Sequence, residues 1–244
     1  MSCRVLILVI FVLIGLAGNS NADDVSDYYA VRTYAERGRA AEKKNDYETA
    51  RRNFEAAVVR FPKSALAYWH RGAFFFDREQ YRAALRDFNQ AINLQPKVFM
   101  YTQWRGVTYA ALGRCDLALA DLNRILDLGT SEYTQVIILY NRALLLATCA
   151  DPHYRNVGQA IKDAQFAVRF GDRQYRASRL HVLAIAYEQA GDFESAAKYE
   201  QEAIAAQTKD DQLKEANRTL DAYQQHRRYP AVYHFLLQHW GERI

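Results

Sequence analysis

The sequence has little proline, glycine and cysteine, and neither sign of charge predominates strongly. Its 244 residues include 4 prolines, 11 glycines and 3 cysteines. Proline and glycine are poor helix formers. Their scarcity beside abundant alanine, leucine, arginine, glutamate and glutamine therefore predicts a nearly all-helical chain. The length corresponds to one or two ordinary domains.

Several chemical signatures are also missing. The 32 basic and 28 acidic residues give a net charge of +4 and are mixed along the chain, so we expect no tail that binds nucleic acid or a membrane surface. The 6 histidines are scattered and no CxxC pair occurs, so we expect neither a metal site nor a cofactor. A nucleophile elbow and a glycine-rich phosphate loop are absent as well. The sequence thus predicts a protein that is not an enzyme.

Residues 1–22 have the layout of a secretory signal peptide. One arginine precedes an apolar run from Val5 to Leu16, and small residues follow up to Ala22, where we expect cleavage. The alternative is a retained membrane anchor, but a dozen apolar residues are short against the roughly 20 that a spanning helix needs. Asn19 stands where a lipoprotein signal needs its cysteine, which argues against a lipid anchor. We expect the mature chain to be exported and not inserted stably in a membrane.

Two cysteines, Cys115 and Cys149, would remain after Cys3 leaves with the signal peptide. In an oxidising compartment they could form a disulfide. Against that, Cys115 falls at a repeat position where other units carry aromatic residues, and free buried cysteines are common. The pattern therefore favours free thiols, with the disulfide as the alternative.

A period of 34 residues runs through the chain. Arginine-glycine pairs keep this spacing, at Arg37-Gly38, Arg71-Gly72 and Arg105-Gly106. A fixed period of this length is typical of stacked supersecondary units rather than of one globular core. Each unit contains two helical patterns separated by a short polar turn. The small residue in the first helix would allow the second helix to approach closely.

This joint pattern resembles the tetratricopeptide repeat, and specifically its common variant with Asn-Arg-Gly in the first helix and Ala-Asp-Tyr in the second. His70-Arg71-Gly72 and Arg86-Asp87-Phe88 are the local versions. The resemblance implies an all-α, right-handed α-solenoid in which residues 23–30 lead into the first helix. Its five helix-turn-helix units would cover residues 31–64, 65–98, 99–132, 136–174 and 177–210.

The end of the chain departs from the regular repeat. The turn of the fourth unit is five residues longer and contains Pro152, which ends a helix. It resembles an elongated turn of some bacterial repeat proteins, so we expect the exported chain to reside in the periplasm or the medium. We favour an ordinary loop there over a dedicated binding loop. Residues 211–229 predict a capping helix. The aromatic tail, 230–244, either packs back on the stack or serves for docking or self-association.

One pair of positions changes together between units. Three units combine an arginine in the first helix with an aspartate in the second, namely Arg71 with Asp87, Arg105 with Asp121, and Arg142 with Asp163. The first unit has Arg37 and Asn53, and the fifth has lost both polar residues. We expect each arginine to face its acid across the helix pair, because a partly buried guanidinium needs an acceptor. The alternative is that the two positions follow the family pattern and the side chains do not contact each other.

The resemblance also implies a concave groove lined by the first helices. The candidate peptide-binding residues are largely apolar or aromatic: Leu66, Trp69, His70, Ala73, Phe76, Met100, Gln103, Trp104, Val107, Tyr140, Asn141 and Leu144. Large aromatics on a groove wall suit peptide recognition, although aromatics at helical spacing are more often core. The Lys, Asn and Arg side chains with which some relatives grip a terminal carboxylate are absent from the matching positions.

These features predict a non-enzymatic scaffold or adaptor that binds an apolar peptide or helix in its groove. The partner would be a protein or peptide that the sequence does not identify. The alternative function is structural, with self-association or docking through the aromatic tail.

Overall fold

A computed structural model describes the backbone of residues 22–206 and 210–227, and the side chains of 25–206 and 216–227. Within these ranges the chain is all-α, with eleven α-helices and one short 3-10 helix. The α-helices are α1 (Ala22–Glu42), α2 (Tyr47–Arg60), α3 (Ala65–Asp77), α4 (Tyr81–Leu94), α5 (Phe99–Ala111), α6 (Cys115–Asp127), α7 (Glu132–Thr148), α8 (Val157–Phe170), α9 (Arg176–Ala190), α10 (Phe193–Ala206) and α11 (Asp210–Gln224).

The helices stack in chain order. Each packs against the next, and the first helices of neighbouring units, α1, α3, α5, α7 and α9, also contact one another in sequence. This is the arrangement of an α-solenoid, in which one row of helices lines the inner face. Residues 23–30, expected to lead into the first helix, are already part of α1. No described helix has the length and apolar character needed to cross a lipid bilayer.

The turn inside a standard unit has a recurrent backbone conformation. Asn45, Glu79, Gly113 and Gly191 occupy the same position after the first helix, and all four have positive φ, between 58° and 80°. A left-handed residue here ends the helix and reverses the chain. Glycine and asparagine adopt this conformation readily. The second helix of the first unit then begins with a side-chain cap, since the Asp46 carboxylate accepts from the Thr49 backbone N–H at 3.1 Å, whereas α4 and α6 begin without one.

The glycines of the repeat are packing positions. A Cβ added to Gly38 would lie 2.6 Å from the Phe54 ring, and one at Gly72 would lie 2.7 Å from the Phe88 ring. Gly106 is less crowded, since its nearest neighbour would be the Asp121 Cβ at 3.2 Å. The ring of the second helix therefore occupies the space that a side chain on the first helix would need.

The elongated turn of the fourth unit is anchored by its own contacts. Asp151 caps the 3-10 helix Pro152–Tyr154, and the Arg155 guanidinium donates to the carbonyl oxygens of Cys149 and Ala150, at 2.6 and 3.3 Å. These bonds hold the turn against the end of α7.

Cys115 and Cys149 form a disulfide, so the favoured expectation of free thiols is wrong. Cys115 begins α6, Cys149 caps the end of α7, and both are buried. The repeat pattern did not predict this disulfide. Cys149 caps the end of α7 in the position that Arg78 holds after α3 and Leu112 holds after α5, and neither of those residues predicts a cysteine there.

The last described helix covers the fifth unit. Tyr223 of α11 is fully buried and packs with Ala184 and Ala196, while Thr219 and Ala222 are buried beside it. This matches the geometry of a cap with one face on the stack. The signal-peptide prediction, apart from Ala22 at the start of α1, and the prediction for the aromatic tail both concern residues outside those described.

Candidate functional site

The inner face of units three to five contains an apolar pocket of about 190 Å³. Helices α5, α7 and α9 and the connection between α8 and α9 form its walls. Its lining consists of Phe99, Met100, Gln103, Trp104, Val107, Tyr133, Val136, Ile137, Tyr140, Asn141, Phe170, Gly171, Asp172, Tyr175, Ser178 and Arg179.

The Trp104 side chain anchors one wall of this pocket. Its ring lies 5.4 Å from Phe76, 5.8 Å from Phe88 and 6.3 Å from Trp69, measured between ring centroids. Such a cluster fixes the indole firmly, because edge-to-face and tilted contacts add to the burial of apolar area. Trp104 thus presents a rigid surface to the pocket.

Two aromatic side chains at the pocket edge are open to solvent. Tyr133, at the start of α7, is 65% exposed and Phe170, at the end of α8, is 41% exposed. Ile137 and Tyr140 lie between the edge and the interior and are half-buried. Exposed aromatics beside an apolar cavity are typical of binding surfaces.

Buried polar side chains stand in the wall of the pocket as well. Gln103 and Asn141 are buried, and neither atom of the Asn141 carboxamide has a hydrogen-bond partner among the described residues. The Trp104 Nε1–H is likewise buried without a described partner. A buried polar group left in this state costs about 1–3 kcal/mol of stability.

Charge in the pocket is internally compensated. Asp172 and Arg179 are the charged side chains of the described lining. The Arg179 guanidinium donates to the Asp172 carbonyl oxygen at 2.6 Å and to its Oδ1 at 3.3 Å. It also lies against Gly171, where a Cβ would collide with it. The pocket therefore offers little free charge to a ligand.

The structure brings together half of the candidate groove residues predicted from the sequence. Six of them line the pocket: Met100, Gln103, Trp104, Val107, Tyr140 and Asn141. The others lie outside its lining: Leu66, Trp69, His70, Ala73, Phe76 and Leu144. Trp69, Phe76 and Leu144 are members of the hydrophobic core. Their apolar faces are used in packing one unit on the next.

His70 is held neutral by its surroundings. It is buried beside Trp69, and its Nδ1 lies 3.4 Å from the Arg39 guanidinium. Burial, with the charges of Arg39 and Arg32 as smaller causes, lowers the pKa of His70 to about 3. The imidazole can therefore accept a hydrogen bond from Arg39.

The three arginine-aspartate pairs proposed from the sequence are hydrogen-bonded in the structure. Each is bidentate, with N···O distances of 2.6 to 3.0 Å: Arg71 to Asp87, Arg105 to Asp121, and Arg142 to Asp163. Hydrogen bonding to its aspartate raises the pKa of Arg105 above its usual value. In the first unit Arg37 is exposed and the Asn53 amide donates to the Thr49 carbonyl oxygen instead.

Two of these arginines also donate to an asparagine, which was not predicted from the sequence. Arg105 Nη1 donates to Asn89 Oδ1 at 3.0 Å, and Arg142 Nη1 donates to Asn123 Oδ1 at 2.7 Å. Each asparagine belongs to the second helix of the preceding unit and holds the same position in it. The signal was present in the sequence, because the two asparagines are 34 residues apart. The arginines therefore connect successive units as well as the two helices of one unit.

Sequence reasoning also missed part of the pocket wall. Phe99 begins α5, Val136 lies in the second turn of α7, Tyr133 precedes the predicted start of unit four, and Phe170 and Tyr175 flank the connection between units. The positions used for prediction start at the second residue of each unit and stay within the first helix, so they omit Phe99, the first turn of α7 and the connection between units. Among the described side chains, no group of histidine, cysteine and acidic residues could hold a metal ion.

Comparisons with known proteins agree with this architecture. The family described as "Tetratricopeptide repeat" matches residues 36–79 and 75–133. The fold is similar to that in the crystal structure of the APC/C hetero-tetramer Cut9-Hcn1, with a TM-score of 0.66 and 16% identity over 80% of this chain. The crystal structure of MamA protein matches with a TM-score of 0.54 and 16% identity over 72% of this chain. This chain spans 36% of the first matched chain and 91% of the second. No curated protein matches in sequence.

Proposed function

We propose that this chain, whose residues 36–79 and 75–133 match the tetratricopeptide repeat family, is a non-enzymatic adaptor whose pocket on units three to five captures an apolar segment of a protein partner. Stacks of this kind present extended surfaces for protein interaction. The open inner face holds no convergent set of reactive groups in the described residues, whereas acid-base or nucleophilic chemistry needs one.

The observation that carries this proposal is the combination of an apolar pocket and exposed aromatics at its edge. Tyr133 and Phe170 expose large apolar area to water beside a cavity with a rigid Trp104 wall. Covering both rings with a partner would remove that area from water, at about 25 cal/mol per Å². Aromatic anchors in pockets dominate the binding energy of many interfaces.

The experiment is a capture assay with the immobilised chain and an envelope fraction. The test variant is Tyr133→Ser/Phe170→Ser, and the matched control is Tyr29→Ser/Leu128→Ser. The control also removes two exposed apolar side chains, but they lie outside the pocket. We expect loss of the partner with the first variant and retention with the second. Alanine at Trp69 and Trp104 would be a poorer test, since both rings are buried and their removal perturbs the fold.

The same assay tests the alternative function. A chain ended at Tyr229 retains every described helix and lacks the aromatic tail. If partners are lost only on this truncation, the tail is the docking element and the pocket proposal fails. If they are lost only with the Tyr133→Ser/Phe170→Ser variant, the pocket is the docking site.

We also propose that the mature chain acts outside the cytoplasm. The disulfide between Cys115 and Cys149 supports this, since such bonds persist in oxidising compartments. Mass spectrometry of the chain from fractionated cells should find it in the exported fraction, beginning at Asp23, after cleavage behind Ala22. An intact N-terminus in the cytoplasmic fraction would contradict the proposal.

A further inference from the structure

The sequence that follows the last described helix contains an uncharged apolar stretch. Residues 229–241 are thirteen residues without an aspartate, glutamate, lysine or arginine, the longest such run after Ala22. Its large apolar side chains are Tyr233, Phe235, Leu236, Leu237 and Trp240. Apolar surface of this extent, if left in water, promotes association, so the stretch needs a surface that covers it.

The pocket on units three to five has the complementary character. Its described charged side chains, Asp172 and Arg179, are bonded to each other, so a charged segment would find no free counter-charge there. Its edge exposes apolar area at Tyr133 and Phe170, which are 65% and 41% exposed. An uncharged aromatic segment would therefore cover the edge and be covered by it.

The described chain ends close to one wall of this pocket. Helix α11 ends at Gln224, and the positive φ of 52° at His226 turns the chain away from the helix axis. The His226 ring lies 5.7 Å from the ring of Phe193, which begins α10 just after the end of α9. The aromatic tail therefore starts beside α9, one of the helices that line the pocket.

The tail is long enough to enter the pocket. Ser178, on the pocket side of α9, lies twelve residues before the end of that helix at Ala190, which is about 18 Å at 1.5 Å per residue. Passing around a helix adds about 10 Å. Trp240 follows Arg227 by thirteen residues, which span up to about 43 Å when extended. The apolar residues before Ala22, by contrast, precede α1 in unit one.

We propose that the aromatic tail occupies this pocket in its own chain, with large apolar side chains against Tyr133 and Phe170, and that a protein partner binds by displacing it. This rests on the proposed function above and adds a competitor for the same site. A short connection gives a tethered segment an effective concentration on the order of millimolar. The tail of a second copy is present only at the concentration of the protein itself, so occupation within one chain is favoured.

The test is the binding of a peptide with the sequence of residues 230–241, labelled at its N-terminus and followed by fluorescence anisotropy. The full mature chain is compared with the variant Phe235→Ser/Trp240→Ser, in which the tail keeps its length and loses two aromatic anchors. We expect the variant to bind the peptide at least about tenfold more tightly than the wild type, because its own tail no longer competes. The matched control, Gln238→Ser/His239→Ser, should bind it as weakly as the wild type.

Adding Tyr133→Ser/Phe170→Ser to the tail variant locates the peptide. We expect this change to weaken peptide binding at least about tenfold, since it removes the aromatic pocket edge. Adding Tyr29→Ser/Leu128→Ser instead should leave binding unchanged. Equal peptide affinity of the wild type and the tail variant would overturn the proposal, and so would binding that is indifferent to the pocket edge.

A second measurement uses the tail in its native sequence. With p-benzoylphenylalanine in place of Tyr133, irradiation of the purified full chain should link position 133 to residues 230–241 at the mass of one chain. Adducts that join two chains would show that the tail of a second copy fills the pocket, and absence of any tail adduct would show that the pocket is not filled by it. Either result overturns the proposal.

Two outcomes separate this inference from the proposed function. If Tyr133→Ser/Phe170→Ser loses the partner in the capture assay but the peptide does not distinguish the wild type from the tail variant, this inference fails alone. If the tail occupies the pocket but the tail variant captures no partner through it, the pocket serves only its own chain and the proposed function fails.

Discussion

The bidentate arginine-aspartate pairs allow a quantitative prediction, made for Arg105 and Asp121. The guanidinium and carboxylate are joined by two hydrogen bonds of 2.8 and 2.6 Å, and their side chains are only 19% and 8% exposed. Replacing Asp121 with alanine would leave a mostly buried guanidinium with Asn89 as its one remaining described hydrogen-bond acceptor. Loss of one member of a buried pair costs about 3–5 kcal/mol. Since the guanidinium keeps some contact with water, we expect about 3 kcal/mol for Asp121→Ala.

In an Arg105→Leu background the same substitution should cost much less. There the carboxylate is already without its partner, so its removal relieves a desolvated charge and leaves mainly a packing loss of about 1 kcal/mol. The double-mutant cycle should therefore give a coupling free energy of about 2 kcal/mol. Urea unfolding followed by circular dichroism measures all four free energies of unfolding.

The exposed pair Arg51 and Glu55 provides the control cycle. Its N···O distance is 2.8 Å, as short as in the buried pairs, but the side chains are 43% and 38% exposed. Pairs of this kind on a helix surface contribute about 0.3–0.5 kcal/mol. If the losses at Arg105 and Asp121 are additive, or if the two cycles give the same coupling, the reasoning about burial is refuted.

Three further predictions concern stability. Gly72→Ala should destabilise by about 1–3 kcal/mol, because its Cβ would lie 2.7 Å from a phenylalanine ring, whereas Gly106→Ala should be nearly neutral at 3.2 Å; equal urea midpoints would contradict this. In the folded chain His70 stays neutral because its pKa is lowered to about 3, whereas in the unfolded chain the imidazole is protonated below its ordinary pKa of about 6.5. The contribution of His70 to the free energy of unfolding is therefore complete above pH 6.5 and declines as the pH falls toward 3. Between pH 7.5 and 5.0 the wild type should therefore lose about 2 kcal/mol more than His70→Gln, and parallel losses would refute the assignment. Cys149→Ser should lower the free energy of unfolding by about 3–4 kcal/mol on the loop-entropy account, given a separation of 34 residues, and non-reducing peptide mapping should recover the linked pair from the wild type.

Periodic features of this protein could be predicted from its sequence, because each repeat repeats the same physical requirement. The glycines at a fixed position indicated close helix contact, and their Cβ sites are indeed filled by rings in two units. Arg105 and Asp121 could be paired because both positions keep the same spacing in successive units. Within-unit geometry is nearly constant, so spacing translates directly into contact.

Features that depend on how units meet could not be predicted in the same way. The pocket combines α5, α7 and α9 with the segment Phe170–Tyr175, which connects two units and lies outside the first-helix positions used for prediction. The disulfide uses Cys149, whose equivalent positions hold Arg78 and Leu112, so comparison of the repeats does not predict it. Trp69 and Trp104 look alike in sequence and are buried to the same extent, but only Trp104 lines the pocket.

Photocrosslinking tests the central claim most directly. A p-benzoylphenylalanine residue would replace Tyr133 at the pocket edge in one chain and Tyr29 on α1 in another, since both tyrosines are solvent-exposed and only the first lines the pocket. Irradiation in the envelope fraction, followed by mass spectrometry of the adducts, should give a defined protein partner from position 133 and none of the same mass from position 29. The same adduct from both positions, or from position 29 alone, would contradict a binding site on units three to five.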